Sequence, residues 1–270
     1  MRTIAQISDL HFGRHSAAAE EDLLASLQAD DPDLVVVSGD FTQRARRAEF
    51  IQARHFLDQI PQPKLVVPGN HDIPLYDLFR RFMTPFVKYD RYISPAGLTG
   101  GLFRDEEIAV LGVNTARRFT RKSGRISIEQ ISQIRRTFSD VPREVFKALA
   151  THHPLGFPSG ERPLELAGRS APALEAIAGE GVHLLMSGHH HRALGGDREI
   201  GMGAKGSVIV LHAGTAISTR IRDTEGNSYN LIRIAGSRLS ISVMARFANR
   251  GFCESRVLSF QLQEGRWQPA

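Results

Sequence analysis

Short runs of apolar residues recur through the first two-thirds of the chain, and each ends in a polar cluster. Leu34, Val35, Val36 and Val37 are apolar at every position and lead into Ser38-Gly39-Asp40. Such a run predicts a strand covered on both faces. Residues 3–7 alternate weakly and predict a strand that delivers Asp9 and His11. Residues 64–67 run through Pro68 into Gly69-Asn70-His71-Asp72. Residues 108–113 end in Asn114-Thr115, 146–150 in Thr151-His152-His153-Pro154, 183–186 in Ser187-Gly188-His189, and 208–211 in His212-Ala213-Gly214-Thr215.

Helical spacing fills the gaps. Leu23, Leu24 and Leu27 share one face of residues 17–28, which Asp31-Pro32 closes. Phe50, Ala53, Phe56, Leu57 and Ile60 recur at three- and four-residue steps in 48–60, which Pro61 and Pro63 stop. Ser127-Ile128-Glu129-Gln130 is a capping box opening a helix to about Phe138, and Ser170 is expected to cap another to about Gly179. Alternating strand and helix predicts an α/β fold with a parallel sheet and its functional loops at the carboxyl ends of the strands. Segments 229–235 and 239–247, around Gly236-Ser237, predict an antiparallel hairpin, with one further strand over 256–262.

The pattern lapses in two places. Residues 74–101 are rich in Phe, Tyr and Arg and are expected to form a helical turn and a long loop leaning over the site. Residues 117–125 hold five basic residues and no acid. Residues 154–168 are expected to be a loop. With no repeat, low-complexity tract or linker, one domain is expected over 1–270. Its cap or dimerisation loops would be 74–101 and 117–125, and its C-terminal β-hairpin region 229–262.

Composition narrows the class. The 270 residues are 41% hydrophobic and 23% charged, ordinary for a globular protein. The formal charge of +5 suits anionic substrates but falls short of a nucleic-acid arm. The single cysteine, Cys253, permits no intrachain disulfide. No segment fits a signal peptide or a membrane span, so a cytoplasmic protein is expected.

The polar clusters have the chemistry of a two-metal site, in which a bridging ligand and terminal ligands hold two ions about 3.5–4 Å apart. Asp40, alone after a glycine, is the natural bridge. Asp9 and His11, two apart in an extended segment, would share a face and bind one ion together. His189 and His191 repeat that spacing, with His190 pointing away, and Asn70 and His152 complete the set. Two carboxylates against two divalent ions leave surplus positive charge for a hydroxide and a phosphate ester. Mixed His, Asp and Asn ligation suits Mn, Fe, Zn or Co over Ca or Mg.

The ordered blocks Asp9-x-His11, Gly39-Asp40, Gly69-Asn70-His71-Asp72, His152 and Gly188-His189-x-His191 resemble the calcineurin-like metallophosphoesterase superfamily. The resemblance implies a four-layer αββα sandwich of two mixed sheets flanked by helices, with a dinuclear site at the strand ends. It implies that Asp9, His11, Asp40 and His191 hold one divalent transition-metal ion (Mn²⁺, Fe²⁺/Fe³⁺ or Zn²⁺). Asp40, Asn70, His152 and His189 would hold the other. His71 would protonate the leaving alkoxide, with Asp72 orienting its ring. Gly39-Asp40-Phe41-Thr42 lacks the Asp-Arg-Gly continuation of protein phosphatases. His71 stands where the lipid A precursor hydrolases have Arg. The His152-His153-Pro154 and His212-Ala213-Gly214-Thr215 blocks look most like class III cyclic-nucleotide phosphodiesterases and glycerophosphodiesterases.

The expected activity is therefore hydrolysis of small phosphodiesters by a metal-bridging hydroxide, in a homo-oligomer. The competing readings are a repair-type DNA exonuclease, a broad phosphomonoesterase and a metal-bound scaffold without turnover. Nucleic acid is not the favoured partner, because the chain is short of DNA-binding regions; a scaffold would have no use for His71. His15, His55 and His183 are assigned no site role, His153 and His190 are placed at its rim, and His212 is left between core packing and the site.

Overall fold

The computed structural model describes residues 1–94, 101–161, 164–200, 206–220 and 226–270. Part of the expected 74–101 cap, residues 95–100, lies outside them, as do 162 and 163 of the 154–168 loop.

Thirteen strands among the described residues form two sheets. In one, β1 (Arg2–Ile7), β2 (Leu34–Val37) and β3 (Lys64–Val66) run parallel. This sheet continues antiparallel from β1 through β10 (Ser228–Ala235), β11 (Arg238–Phe247), β12 (Gly251–Gln263) and β13 (Arg266–Pro269). In the other, β5 (Ile108–Gly112), β6 (Phe146–Ala150), β7 (Leu184–Ser187) and β9 (Gly206–His212) are parallel. Antiparallel edge strands flank them, β4 (Leu102–Arg104) on one side and β8 (Leu194–Ile200) on the other.

The apolar positions sort into three layers of core. Ile4, Leu34, Val36 and Leu65 of one sheet face Val110, Ala148, Leu184 and Ile209 of the other. Their neighbours Ala5, Ile7, Val35 and Val37 face outward, onto α1 (Ala17–Asp30) and α2 (Arg47–Asp58). Ala109, Leu111, Leu149 and Leu185 face α5 (Ile128–Ser139) and α6 (Ser170–Gly179). The order is helix, sheet, sheet, helix. It explains the unbroken apolar strands, because side chains alternate between two faces that are both buried. The helices α3 (Leu78–Met83) and α4 (Val87–Tyr92) carry the aromatic segment. Among the described residues, no helix is long and apolar enough to cross a membrane.

The hairpin around Gly236-Ser237 forms as expected. The expected strand over 256–262 is the middle of the 13-residue β12. The two sheets are mixed, as the resemblance implies, because strands after residue 228 and the strands β4 and β8 enter antiparallel. One reading needs correction. Ser170 is the first residue of α6; the cap is Arg169, held left-handed at φ 63° with no side-chain cap bond.

Beneath the strand ends a buried polar chain ties the sheets together. Gln6 Nε2 of β1 donates to Ser38 Oγ (3.1 Å) and to the Ser187 carbonyl of β7 (3.0 Å). Asn230 Nδ2 of β10 donates to Gln6 Oε1 (3.0 Å) and to the His212 carbonyl of β9 (3.2 Å). These paired N–H groups help fix strand register, although Asn230 Oδ1 is itself left without a hydrogen-bond partner.

Candidate metal centre

Five of the parallel strands, β1, β2, β3, β6 and β7, end at the same edge of the two sheets, and the polar blocks follow those ends. The structure brings Asp9, His11, Asp40, His71, His152, His153, His189 and His191 into four overlapping clusters. Within each cluster the candidate ligand atoms lie within 4.8 Å of one another.

The pairing within blocks arises differently from the extended alternation expected. Asp9 (φ 53°), His11 (φ 50°), Asp40 (φ 54°), His189 (φ 75°) and His191 (φ 58°) all adopt the left-handed conformation. Non-glycine residues rarely hold it, and it collects at functional sites. The segment after β1 runs on beside residues 39–42, and its left-handed residues bring Asp9 Oδ1 within 3.8 Å of His11 Nε2 while Leu10 is buried. Two glycines permit the crowding by lacking a side chain. A Cβ on Gly69 would stand 2.0 Å from Asp40 Oδ1, and one on Gly188 would stand 1.9 Å from Ser8 Oγ.

Asp40 sits at the middle. Its Oδ1 accepts the His71 backbone N–H at 2.8 Å. Its Oδ2 lies 3.4 Å from His152 Nε2 and 3.8 Å from His11 Nε2. Asp9 Oδ2 accepts from Ser8 Oγ (2.6 Å) and from the His189 N–H (3.0 Å), while Oδ1 faces His191 Nε2 at 3.1 Å. Backbone carbonyls orient the rings. His152 Nδ1 meets Ser38 O at 2.7 Å, and His191 Nδ1 meets Arg220 O at 3.1 Å. A carbonyl can only accept, so Nδ1 carries the proton and Nε2 offers its lone pair inward, the usual arrangement of a metal-binding imidazole.

Several buried atoms here lack a hydrogen-bond partner: Asp9 Oδ1, Asn70 Oδ1, His152 Nε2 and His153 Nε2. Asn70 is tethered through Nδ2 to the Arg121 carbonyl (3.3 Å), which fixes its oxygen as the open acceptor. Orphaned buried donors and acceptors are costly, and the two oxygens among them can only accept. His11 and His191 face Nε2 to Nε2 at 3.2 Å. Imidazole and carboxylate groups converging this closely in a buried site fit divalent cations, which would take the place of the Nε2 protons.

Charge within the cluster follows burial and pairing. Burial lowers His11 to about 4 and His189 to about 3, so both rings are neutral at ordinary pH. Burial would lower His152 too, but the adjacent Asp40 carboxylate outweighs it and raises the ring to about 9, so without a cation its Nε2 takes a proton that a bound cation would displace. Burial opposes ionisation of Asp9 and Asp40, yet His191 beside the first and His152 beside the second hold both below the usual carboxylate range.

Asp72 does not orient the His71 ring. Asn70–Asp72 is a turn of 3₁₀ helix, so the Asp72 side chain points back under its own turn. Its carboxylate accepts from the backbone of Gly69 (2.9 Å), Phe41 (3.2 Å) and Thr42 (2.9 Å) and from Thr42 Oγ1 (3.0 Å). Burial first, and the charge of Asp40 second, raise it to about 7. Asp72 therefore clasps the Asp40 loop to the Asn70-His71 turn. The His71 ring is held by Gln43, whose carbonyl lies 2.7 Å from Nδ1.

His153, expected at the rim, is fully enclosed, its ring 4.6 Å from that of His189 and its Nδ1 2.8 Å from Thr115 Oγ1. His212 packs between Phe157 and His190 and bonds the Gly156 carbonyl (2.9 Å), away from the carboxylates. Sequence reasoning missed Gln6, Ser8, Gln43 and Thr215, whose hydroxyl donates to the Asp9 carbonyl at 2.7 Å. It also missed Arg14, Arg44 and Arg220. With Arg121, Lys122, Asn70 and His71 they line an open cavity of about 930 Å³ over the cluster, with Glu165 the one acid among its lining residues.

Comparison with known proteins agrees with this geometry. A glycerophosphodiester phosphodiesterase of Enterobacter lignolyticus is 36% identical over 80 residues, 26% of this chain and 29% of that protein. A probable cyclic nucleotide phosphodiesterase of Synechococcus is 28% identical over 81 residues, 27% of this chain and 32% of its own. The chain thus spans less than a third of either relative's length. Two solved structures share the fold. A purple acid phosphatase of yellow lupin has a TM-score of 0.69 at 14% identity, covering 98% of this chain and 54% of that one. A dimetal phosphatase of Danio rerio has 0.68 at 13%, covering 97% and 99%. The calcineurin-like phosphoesterase profile matches residues 2–193, and the chain belongs to that family.

Proposed function

We propose that the chain hydrolyses small phosphodiesters, a glycerophosphodiester or a cyclic nucleotide, with two divalent transition-metal ions. One observation carries the reading. The Asp40 carboxylate lies between the His11 and His152 rings and accepts the backbone N–H of His71, which lines a cavity together with five cationic side chains. Asp9, His11, Asp40 and His191 would hold one ion, and Asp40, Asn70, His152 and His189 the other. When bound, such ions supply an activated water and neutralise charge developing on the phosphoryl oxygens.

The chain's own residues do the rest. Arg14, Arg44, Arg121, Lys122 and Arg220 attract and hold the anionic diester. The His71 ring, anchored through Nδ1–H to the Gln43 carbonyl, turns Nε2 to the substrate. Doubly protonated, it gives the Nε2 proton to the leaving alkoxide and recovers it from solvent. A positioned acid of this kind is worth about 10²–10⁴-fold in rate. Asp72 keeps that turn in register with the Asp40 loop. The names of the two curated relatives support the diester class, and the single cysteine suits a reducing, cytoplasmic setting.

The test is a substrate panel with added Mn²⁺: cyclic AMP, a glycerophosphodiester, nitrophenyl diester and monoester, and single-stranded DNA. Faster turnover of the small diesters is expected. Preference for the monoester or for DNA would replace this reading with a phosphomonoesterase or an exonuclease.

A further inference from the structure

The short helix α3 is built inside out. Its buried residue is Arg81, whereas Leu78, Phe79 and Met83 are 61%, 76% and 66% exposed and Phe82 is also exposed. Arg81 donates to the carbonyls of Pro74 (3.0 Å) and Thr120, which binds the helix to the basic loop. On that loop Phe119, 75% exposed, packs its ring 5.7 Å from that of Phe82. The Arg118 guanidinium lies 4.8 Å over the Phe119 ring and donates to the Phe82 carbonyl at 2.6 Å. Helix and loop thus form one flap with an apolar outer face. Half of the fourteen large apolar side chains that the described residues expose lie in residues 76–87 or at Phe119. A patch of this kind marks an interaction surface.

The flap also concentrates charge. Residues 74–92 and 117–125 hold nine Lys or Arg against two Asp, and of the nine Arg80, Arg91, Arg118, Arg121, Lys122 and Arg125 are exposed. Tyr76 and Arg121 belong both to this surface and to the cavity lining, so the patch runs to the cavity mouth. A second copy docked through a two-fold axis would set the same cationic patch against itself. An anionic lipid surface satisfies both properties at once, taking the rings at the headgroup boundary and the cations against its own charge. We propose that this flap docks the protein on anionic bilayers and holds the cavity mouth at the headgroups. The inference does not depend on the reaction catalysed.

Co-sedimentation of the full chain with vesicles of equal parts phosphatidylglycerol and phosphatidylcholine tests it, with pure phosphatidylcholine vesicles as the comparison. Binding is expected to the anionic vesicles alone and to weaken as salt rises. Phe79→Ser with Phe119→Ser should weaken it at least tenfold, and Arg118→Gln about fivefold, the worth of one cation near such a surface. Turnover of a small soluble diester should be unchanged in both variants, which reports that they fold. Absence of binding at low salt, or full binding by the Phe79/Phe119 variant, would overturn the proposal. So would a wild-type dimer that this variant converts to monomer, which would assign the patch to a second copy.

Discussion

The strand-end cluster and the flap are neighbours across one cavity, and they invert each other's rules. In the cluster, polar atoms are buried, strained backbone is held by glycine-sized clearances, and several ring nitrogens and side-chain oxygens lack a partner. In the flap, apolar rings lie in solvent and an arginine is buried beneath them. Each region breaks the usual sorting of residues by polarity, and each breakage points to what is missing, cations in one and an apolar, anionic surface in the other. Residual mismatch in an otherwise well-sorted fold is therefore informative about ligands.

The sharpest way to break this comparison is at Asp40. Asp40→Asn should lose affinity for both ions and reduce turnover by more than the roughly 10–100-fold typical of losing a group that merely orients a ligand. Retention of two tight ions on elemental analysis would show that another group bridges. His71→Ala should keep the metal content and lose about 10²–10⁴-fold in turnover of esters with poor leaving groups. Much less should be lost with nitrophenyl esters, so an equal loss on both would remove the acid role. Asp72→Asn should keep the His71 ring in place yet lower metal affinity about tenfold, because one oxygen becomes a donor facing the donors of Gly69, Phe41 and Thr42. Unchanged affinity would show that the clasp is dispensable.

The smallest effect lies outside both regions. Burial, and secondarily the nearby Lys147, lower His183 to about 4 beside Phe146 and Trp267. The unfolded ring takes a proton at its ordinary value near 6.5, so the unfolded state binds more protons between about 6.5 and 4. Stability from the neutral ring is therefore full above about 6.5 and is lost as pH falls toward 4. Unfolding free energies from denaturant titration should show the metal-free wild type losing stability relative to His183→Leu as pH falls across that window, by up to about 3 kcal/mol. Parallel curves would exclude His183 as a contributor.

Much of this architecture is written in local pattern. Strands such as Leu34–Val37 and Phe146–Ala150 read directly because both faces are covered. The helix cap at Ser127 reads because its bonds are local. The polar blocks were legible because each follows a strand. What escaped was non-local or used the backbone. β8 contains Gly195-Gly196-Asp197, unlike a strand, because a Cβ on Gly195 would meet Leu258 at 2.7 Å. Gln43 holds His71 through its carbonyl, which no residue type advertises. The resemblance implied that Asp72 orients the His71 ring, whereas the 3₁₀ turn sends its carboxylate to Gly69, Phe41 and Thr42. Arg14 and Arg220 reach the cavity only through contacts about 200 residues apart in sequence, such as the 2.9 Å bond from Thr219 Oγ1 to the Arg14 carbonyl.

The amide bond from Asn230 to Gln6 spans 224 positions of sequence. During synthesis, β1 must wait beside an empty edge until β10 leaves the ribosome, since chains emerge from the N-terminus first. Only then can β1 be flanked on both sides and the Asp9 loop be locked. Completion of this sheet is consequently a late event of biogenesis, timed by the arrival of a strand from the last fifth of the chain.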